Sequence, residues 1–434
     1  MTESPETPRQ SRIGRVVLAS FVGTMIEWYD YFLYGTAAAT VFGRLFFPSE
    51  DQFISLMSSY ASFAVGFFMR PLGGVIFGHF GDRVGRKAML VTTLLMMGLA
   101  TFMIGLLPTY ETIGIAAPIL LILLRLVQGL GVGGEWGGAV LMAVEHGHSG
   151  KRGLYGSIVQ MGVPAGLLLA TAVFSAFSSL PDEQFLSWGW RVPFLFGILL
   201  LGVGIFIRFQ VFESPLFDET KQRHGVSRLP ILEVFREYPR SVLLAMGARF
   251  AENASFYIFT VFVLSYGTES LDIPKQTILT GIWIAAAVQI FAIPAAGILS
   301  DRFGRKPLYL AGAIGVALFA LPFFHLLQTR VDHWIWLAIV IALVIHSLMY
   351  GPQAAFFSEL FGTRVRYSGA SVGYQLASPL AGGVAPLIAT ALLQWSNGAT
   401  WPVGAYLIAT AFLTLTSIAL ATETAHSQLT DSQS

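Results

Sequence analysis

Long apolar stretches alternate with short charged ones along the chain, and the stretches are too long to be the buried face of a soluble helix. A helix needs about 20 apolar residues to cross the hydrocarbon of a bilayer. Windows of that order fall at 16–42, 54–79, 88–108, 114–143, 153–179, 187–207, 241–267, 276–300, 307–328, 333–358, 367–393 and 400–421. The last two come from one run, since no charged residue occurs from Tyr367 to Thr422. At about 1.5 Å per residue that run suffices for two crossings, and Asn397-Gly398 with Trp401-Pro402 supplies the turn between them. The pattern predicts an all-α membrane protein of twelve transmembrane helices.

Composition agrees. Of 434 residues, 54% are hydrophobic and 12% charged, about half the charge of a soluble domain, which carries about 25%. The 35 phenylalanines suit contact with membrane lipid. A net charge of +1 argues against a nucleic-acid partner. With no cysteine, disulfides, thiolate metal sites and cysteine nucleophiles are excluded. Arg9, Arg12 and Arg15 precede the first apolar run as in a signal peptide, but that run meets Glu27 and Asp30 and stays apolar through Thr40. Without a small-residue cleavage site, it is expected to be a retained first helix.

Lysine and arginine set the orientation. With the N-terminus inside and the spans alternating, 19 of the 26 basic residues fall inside, three outside (Arg44, Lys275, Arg330) and four within spans. Both termini are therefore expected in the cytoplasm of a multi-pass inner-membrane protein. Trp188, Trp190, Trp334, Trp336, Trp395 and Trp401 fall near outer loops, as an interfacial belt would. The longest charged stretch, 208–240, links two six-helix halves and has room for a surface helix near Ile231 to Arg236. The expected division is a 1–15 tail, a 16–207 bundle, the 208–240 linker, a 241–422 bundle and a polar, disordered 423–434 tail.

The halves repeat. Gly78-His-Phe-Gly-Asp82-Arg83-Val-Gly85-Arg86-Lys87 joins spans two and three, and Gly297-Ile-Leu-Ser-Asp301-Arg302-Phe-Gly304-Arg305-Lys306 joins spans eight and nine, with six of ten positions identical. Glu145 precedes Arg152 by seven residues, and Glu359 precedes Arg366 by seven, at the same place in each half. Such duplication is the mark of a transporter built from internal repeats.

The repeated loop resembles the signature loop of the major facilitator superfamily, and Arg125-Leu-Val-Gln128-Gly129-Leu-Gly131-Val-Gly133-Gly134-Glu135 resembles its fourth-helix motif. Glu27-Trp-Tyr29-Asp30-Tyr31, Arg70-Pro71-Leu-Gly-Gly74 and Ser187-Trp-Gly-Trp-Arg191-Val-Pro193-Phe look like the metabolite:proton symporter family, which includes importers of shikimate, 2-oxoglutarate and proline or betaine. The resemblance spans about 15–422. It implies two six-helix bundles around a cavity lined by helices one, four, seven and ten. It also implies that Asp82 latches the cytoplasmic side shut, with Gly78, Arg83, Gly85, Arg86, Asp301, Arg302 and Arg305 as the other gate positions. From the residues alone, Asp82 and Asp301 can each cap the helix that follows. The bland reading of the loop is a positive-inside turn. Gly129, Gly133 and Gly137 recur every four residues and let another backbone approach closely; without a Gly-Lys-Ser/Thr ending after a strand, they are no phosphate cradle.

Charges inside spans cost about 2.5–3.5 kcal/mol each on translocon scales and usually face a cavity or a partner. Here there are four acids, Glu27, Asp30, Glu135 and Glu252, and four bases, Arg70, Arg125, Arg191 and Arg249. Glu27 and Asp30 share a helical face, as do Arg249 and Glu252. A proton carrier needs a buried carboxyl group, and Asp30 is the first candidate, then Glu27 and Glu135. The bland alternative is a static ion pair with Arg125. Arg125 and Arg249 can hold a substrate carboxylate bidentately, with Glu252, Asn253, Tyr29 and Gln353 as further substrate contacts; Tyr257, Gln289, Tyr350 and Gln375 are other polar liners. Arg70 is a candidate partner of Glu135, and Arg191 is expected to snorkel. No cofactor, metal spacing or nucleophile elbow appears. The expectation is proton-coupled import of a small organic acid or zwitterion, by a chain that functions as a monomer. A uniporter, an antiporter or a non-transporting sensor are the alternatives.

Overall fold

A computed structural model describes residues 8–84, 86–146, 149–209, 230–362 and 365–425; at 8–13, 15, 81–84, 86, 146, 149, 208, 209 and 230 only the backbone is described. Twelve long helical segments order as α1 (Pro8–Thr40), α2 (Gln52–Val84), α3 (Arg86–Leu106), α4 (Ala116–His146), α5 (Arg152–Ser178, with a break at Met161), α6 (Arg191–Phe209), α7 (Pro239–Tyr257, continued by π-helical turns at Ile258–Phe262 and Tyr266–Ser270), α8 (Lys275–Phe303), α9 (Arg305–Gln328), α10 (Asp332–Glu359), α11 (Arg366–Trp395, with a π-helical turn at Pro379–Gly383) and α12 (Trp401–Leu420). Each of the twelve predicted windows falls on one of them; α1 begins eight residues before its window, and α7 fills its window only with its π-helical turns. Every backbone group must be satisfied within the segment when water is absent, which is why the apolar runs are helical.

Among the described residues, eleven helices are long and apolar enough to cross a membrane. The twelfth, α7, falls short because Arg240, Arg249, Glu252 and Asn253 sit within its Pro239–Tyr257 stretch. The turn between α11 and α12 is where the sequence puts it, with Asn397 and Gly398 both at positive φ (52° and 87°). The short helix expected near 231–236 is present as Pro230–Glu237.

The duplication is visible in the packing. In the first half α1 packs on α5, α2 on α4, and α3 on α4 and α6. In the second half α7 packs on α11, α8 on α10, and α9 on α10 and α12, the same pairs six helices later. The halves meet through α5 against α8 and α10, and through α11 against α2 and α4. This relation by repeats is the general plan of secondary transporters.

Two expectations need correction. Trp190 is not in an interfacial belt: it is fully buried among Phe42, Phe46 and Phe194, while Trp188, Trp334, Trp395 and Trp401 are exposed. The chain after α12 does not turn to disordered tail at Glu423, because Thr424 and Ala425 are buried and Glu423 is hydrogen-bonded to α9. Residues 426–434 lie outside the described residues, as does most of the predicted linker.

Candidate functional site

The centre of the molecule holds two polar clusters. The first belongs to α1, α2, α3 and α4. Close approach of α2 and α4 creates it: a Cβ at Gly129 would strike the Gly66 carbonyl, and one at Gly133 the Arg70 carbonyl. The glycine spacing therefore has a packing role, and it brings Arg70 and Arg125 toward the same ring. The guanidinium carbon of Arg70 lies 4.2 Å from the Tyr31 centroid and 4.3 Å from Phe67, and that of Arg125 lies 4.0 Å from Tyr31 and 4.3 Å from Tyr34. Both arginines are fully buried, as are Glu27, Asp30 and Glu135.

Arg125 does not pair directly with Asp30. It donates from Nη1 to Gln128 Oε1 at 3.1 Å and from Nε to the Phe63 carbonyl at 3.4 Å. Gln128 Nε2 then donates to Thr101 Oγ1 at 2.8 Å. Thr101 stands beside Asp30, since both come within 4 Å of the point where a Cβ on Gly197 would lie. Neither Asp30 oxygen has a hydrogen-bond partner. The expected contact is thus replaced by a relay, Arg125–Gln128–Thr101, ending beside the carboxyl group. Thr101 and Gln128 were not foreseen; Gln128, one turn after Arg125, was the available signal.

Arg70 is not the partner of Glu135. None of its three side-chain nitrogens makes a hydrogen bond, and its contacts are the rings of Trp28, Tyr31 and Phe67. Tyr29 is not placed to touch a substrate: its hydroxyl donates to the Pro193 carbonyl at 2.6 Å and ties α1 to α6. Arg191 does not snorkel but donates to the carbonyls of Gly105 and Leu107, closing the last turn of α3.

The second cluster belongs to α7–α11. Arg249 Nη1 donates to Glu252, one turn along α7, and to Gln353 Oε1 at 3.2 Å, while Nη2 reaches Ser378 at 3.5 Å. Glu252 also accepts from Gln353 Nε2 at 3.1 Å and stands 3.2 Å from His346 Nε2. Gln353 donates to the Tyr309 hydroxyl, which donates to the Ala248 carbonyl. His346 Nδ1 is 2.9 Å from Gln289. Asn253 packs instead against Gly382, in the π-helical turn of α11. His346 and Tyr374 were missed. The Tyr374 ring has the Arg249 guanidinium 3.5 Å from its centroid and stacks on Trp136 of α4 at 3.7 Å, so it bridges the halves.

Contacts cross between the halves at both ends of the molecule. At the basic end, the two duplicated Glu and Arg pairs exchange partners. Arg152 pairs with Glu359 at 3.4 Å and Arg366 with Glu145 at 3.8 Å, each across the seam. Asp301 caps a helix, but not the one that follows it: its carboxylate accepts from the Gly153 and Leu154 amides of α5, at 2.8 and 3.0 Å, and from Arg305 at 2.7 Å. The N-terminus of α9 is capped by Glu423, which accepts from the Arg305 and Lys306 amides. Arg305 also binds Glu359. Arg302 is exposed over Phe303 and reaches none of these acids. Gly78 faces Tyr367 and Ser368 of α11, while Gly85 and the side chains of Asp82, Arg83 and Arg86 lie outside the described residues. At the opposite end, Tyr60 of α2 and Ser265 of α7 share a hydrogen bond of 2.8 Å, and Gln276 of α8 binds Ser175 of α5 at 2.5 Å.

Two bundles related by a repeat, with buried ionisable groups at their seam, define a membrane transporter, not an enzyme. Known proteins agree. The Major Facilitator Superfamily model matches residues 20–386. The shikimate transporter of Escherichia coli K12 is 44% identical over 92% of this chain and 92% of its own. An inner membrane metabolite transport protein of the same organism is 43% identical over 98% of both, and its proline/betaine transporter is 34% identical over 96% of this chain and 85% of its own. A structure of a proton:xylose symporter superposes with a TM-score of 0.77 over 98% of both chains at 17% identity, which shows the shared fold. The chain belongs to the major facilitator superfamily, among its metabolite transporters.

Proposed function

We propose that the protein imports a small carboxylated metabolite together with a proton, by rocking of the 16–207 bundle against the 241–422 bundle. The observation that carries the reading is the relay from Arg125 through Gln128 and Thr101 to Asp30. A neutral carboxyl group is far cheaper to bury than a carboxylate without donors. Asp30 is therefore a group that gains and loses a proton as access changes. When it is charged, Thr101 turns its hydroxyl proton to Asp30, and the relay transmits the change to Arg125. Glu27 and Glu135 are the other candidate acids, and Arg249 with Glu252, Asn253 and Gln353 forms the facing wall. Shikimate, proline and betaines share a carboxylate, which matches the buried guanidinium groups and the names of the relatives. The basic end faces the cytoplasm on this reading, and the pairs Arg152–Glu359 and Arg366–Glu145, with the bonds from the Gly153 and Leu154 amides to Asp301, hold it shut until substrate arrives.

Uptake of labelled shikimate, 2-oxoglutarate, proline betaine and citrate into vesicles, with and without a protonophore, tests the reading. Accumulation of one of them that collapses with protonophore is the expected result. Accumulation indifferent to protonophore identifies the uniport or antiport alternative. Reporter fusions at Asp182 and Ser227 should report opposite sides of the membrane, and a common side would sink the orientation.

A further inference from the structure

We infer that Arg70 anchors the substrate's carboxylate, with Nη2 of Arg125 as the second donor; this rests on the reading of the substrate as an organic acid. The central arginines differ in what they have left to give. Arg249 is engaged by Glu252, Gln353 and Ser378 and keeps only Nε unpaired. Arg125 is held by Gln128 and the Phe63 carbonyl and keeps only Nη2. Arg70 keeps all three nitrogens, and with them a whole planar fork of donors. It is 0% exposed, so no water shell replaces the missing bonds.

A buried guanidinium without acceptors is a large local cost, and a fold retains it for a reason beyond stability. Here Arg70 and the partly bonded Arg125 press on one ring, Tyr31, at 4.2 and 4.0 Å from its centroid. Glu27 offsets part of their mutual repulsion from the side of Arg70, and an anion that accepts from both would relieve the rest. A carboxylate fits that demand, because its two oxygens match a planar fork. The rings that cage Arg70, those of Trp28, Tyr31 and Phe67, offer apolar surface to the body of a small organic molecule.

The position also suits alternating access. Phe67, which covers Arg70, touches Tyr257 of α7 with centroids 5.1 Å apart. It also packs so closely on Gly383 of α11 that a Cβ there would lie 2.7 Å from it. Arg70 thus sits on the first half, directly behind the seam. The hydroxyls of Tyr31 and Tyr257 and the Asn253 amide nitrogen also lack partners, and they come from both sides of that seam. Separation of the halves from either end uncovers the cation.

The experiment is thermal unfolding of the purified full-length protein in detergent, with shikimate, proline betaine or sodium sulfate as probes. An organic carboxylate should raise the Tm of the wild type. Arg70→Lys should weaken that probe roughly tenfold to a hundredfold, through loss of charged hydrogen bonds. Arg70→Met should abolish its shift while raising the Tm of the ligand-free protein, which a merely structural cation would lower. An undiminished ligand shift in both variants overturns the assignment, as does a lowered ligand-free Tm in Arg70→Met. A shift from sulfate alone overturns the organic-acid class. If neither organic carboxylate shifts the wild type, the organic-acid reading itself fails and the inference falls with it.

Discussion

The two halves share a backbone plan and differ in how their central charges are satisfied. In α7–α11, Arg249, Glu252, His346, Gln353 and Tyr309 form a closed set in which each acid oxygen has a donor. In α1–α4, both oxygens of Asp30 and every nitrogen of Arg70 lack a hydrogen bond, at the same depth of burial. Duplication supplies the scaffold, and the chemistry has since diverged. A satisfied set costs little to keep buried and gives a rigid wall, whereas an unsatisfied one is poised to accept whatever restores its bonds. On the function proposed above, the first half would be where proton and anion are exchanged, and the second the surface against which they are enclosed.

The comparison breaks most visibly at Asp30. Asp30→Asn should abolish accumulation against a gradient, while exchange of labelled for unlabelled substrate survives. Concentrative, protonophore-sensitive uptake by this variant would move proton coupling to Glu27 or Glu135. The next largest effect is on the rigid side. Glu252→Ala leaves Arg249 buried without its acid and should lower stability by about 3–5 kcal/mol, whereas joint replacement of Arg249 by Met and Glu252 by Leu should be near neutral. Unfolding in detergent reads both, and equal stability of Glu252→Ala and wild type would mean that the closed set does not support the fold. A smaller effect is expected at the seam. Asp301→Asn loses part of a cap worth about 1 kcal/mol and loosens the basic end. The chain has no native cysteine, so maleimide labelling of Ser368→Cys, a buried position facing Gly78, should quicken when Asp301→Asn is added. An unchanged labelling rate would leave Asp301 with no part in closure.

Much of the fold was legible in the sequence, because its cause is one-dimensional. Charge-free windows fix the helices, and the repeated loop fixes the two halves. Partner choice across the seam was not, because it depends on which ends meet. The spacing of Glu145 with Arg152 and of Glu359 with Arg366 marked the duplication but said nothing of their partners. Only the packed halves show that the pairs cross, Arg152 to Glu359 and Arg366 to Glu145. Asp301 was misread for the same reason: its cap lies on α5, far off in the chain. Arg70 and Tyr29 show the limit for single residues. A polar group in an apolar run announces burial, but whether it is tethered, as Tyr29 is to Pro193, or left without a hydrogen bond, as Arg70 is, depends on neighbours from other helices.

The smallest effect concerns Glu423, which the polar tail gave no reason to single out. Its carboxylate accepts from the amides of Arg305 and Lys306, the cap that Asp301 was expected to supply by analogy with the repeat, and from those of Thr424 and Ala425. Burial pushes its pKa upward, but these four backbone donors prevail and hold it below the ordinary glutamate value of 4.5. The charged form is therefore the one the fold prefers. Its contribution is fully present above the unfolded value and is lost as pH falls through the lowered folded value. Glu423 is exposed at the surface, so solvent screens the effect and it should be modest. Glu423→Gln should lower Tm slightly at pH 7, and the gap from wild type should close on acidification below about pH 4.5, where the wild type loses the same charge. The variant should also disturb the neighbouring bond from Thr424 to Glu359, and with it the Arg152 pair, so labelling of Ser368→Cys should quicken a little. A gap from wild type that stays constant from pH 7 to pH 3 would show that the cap acts without its charge.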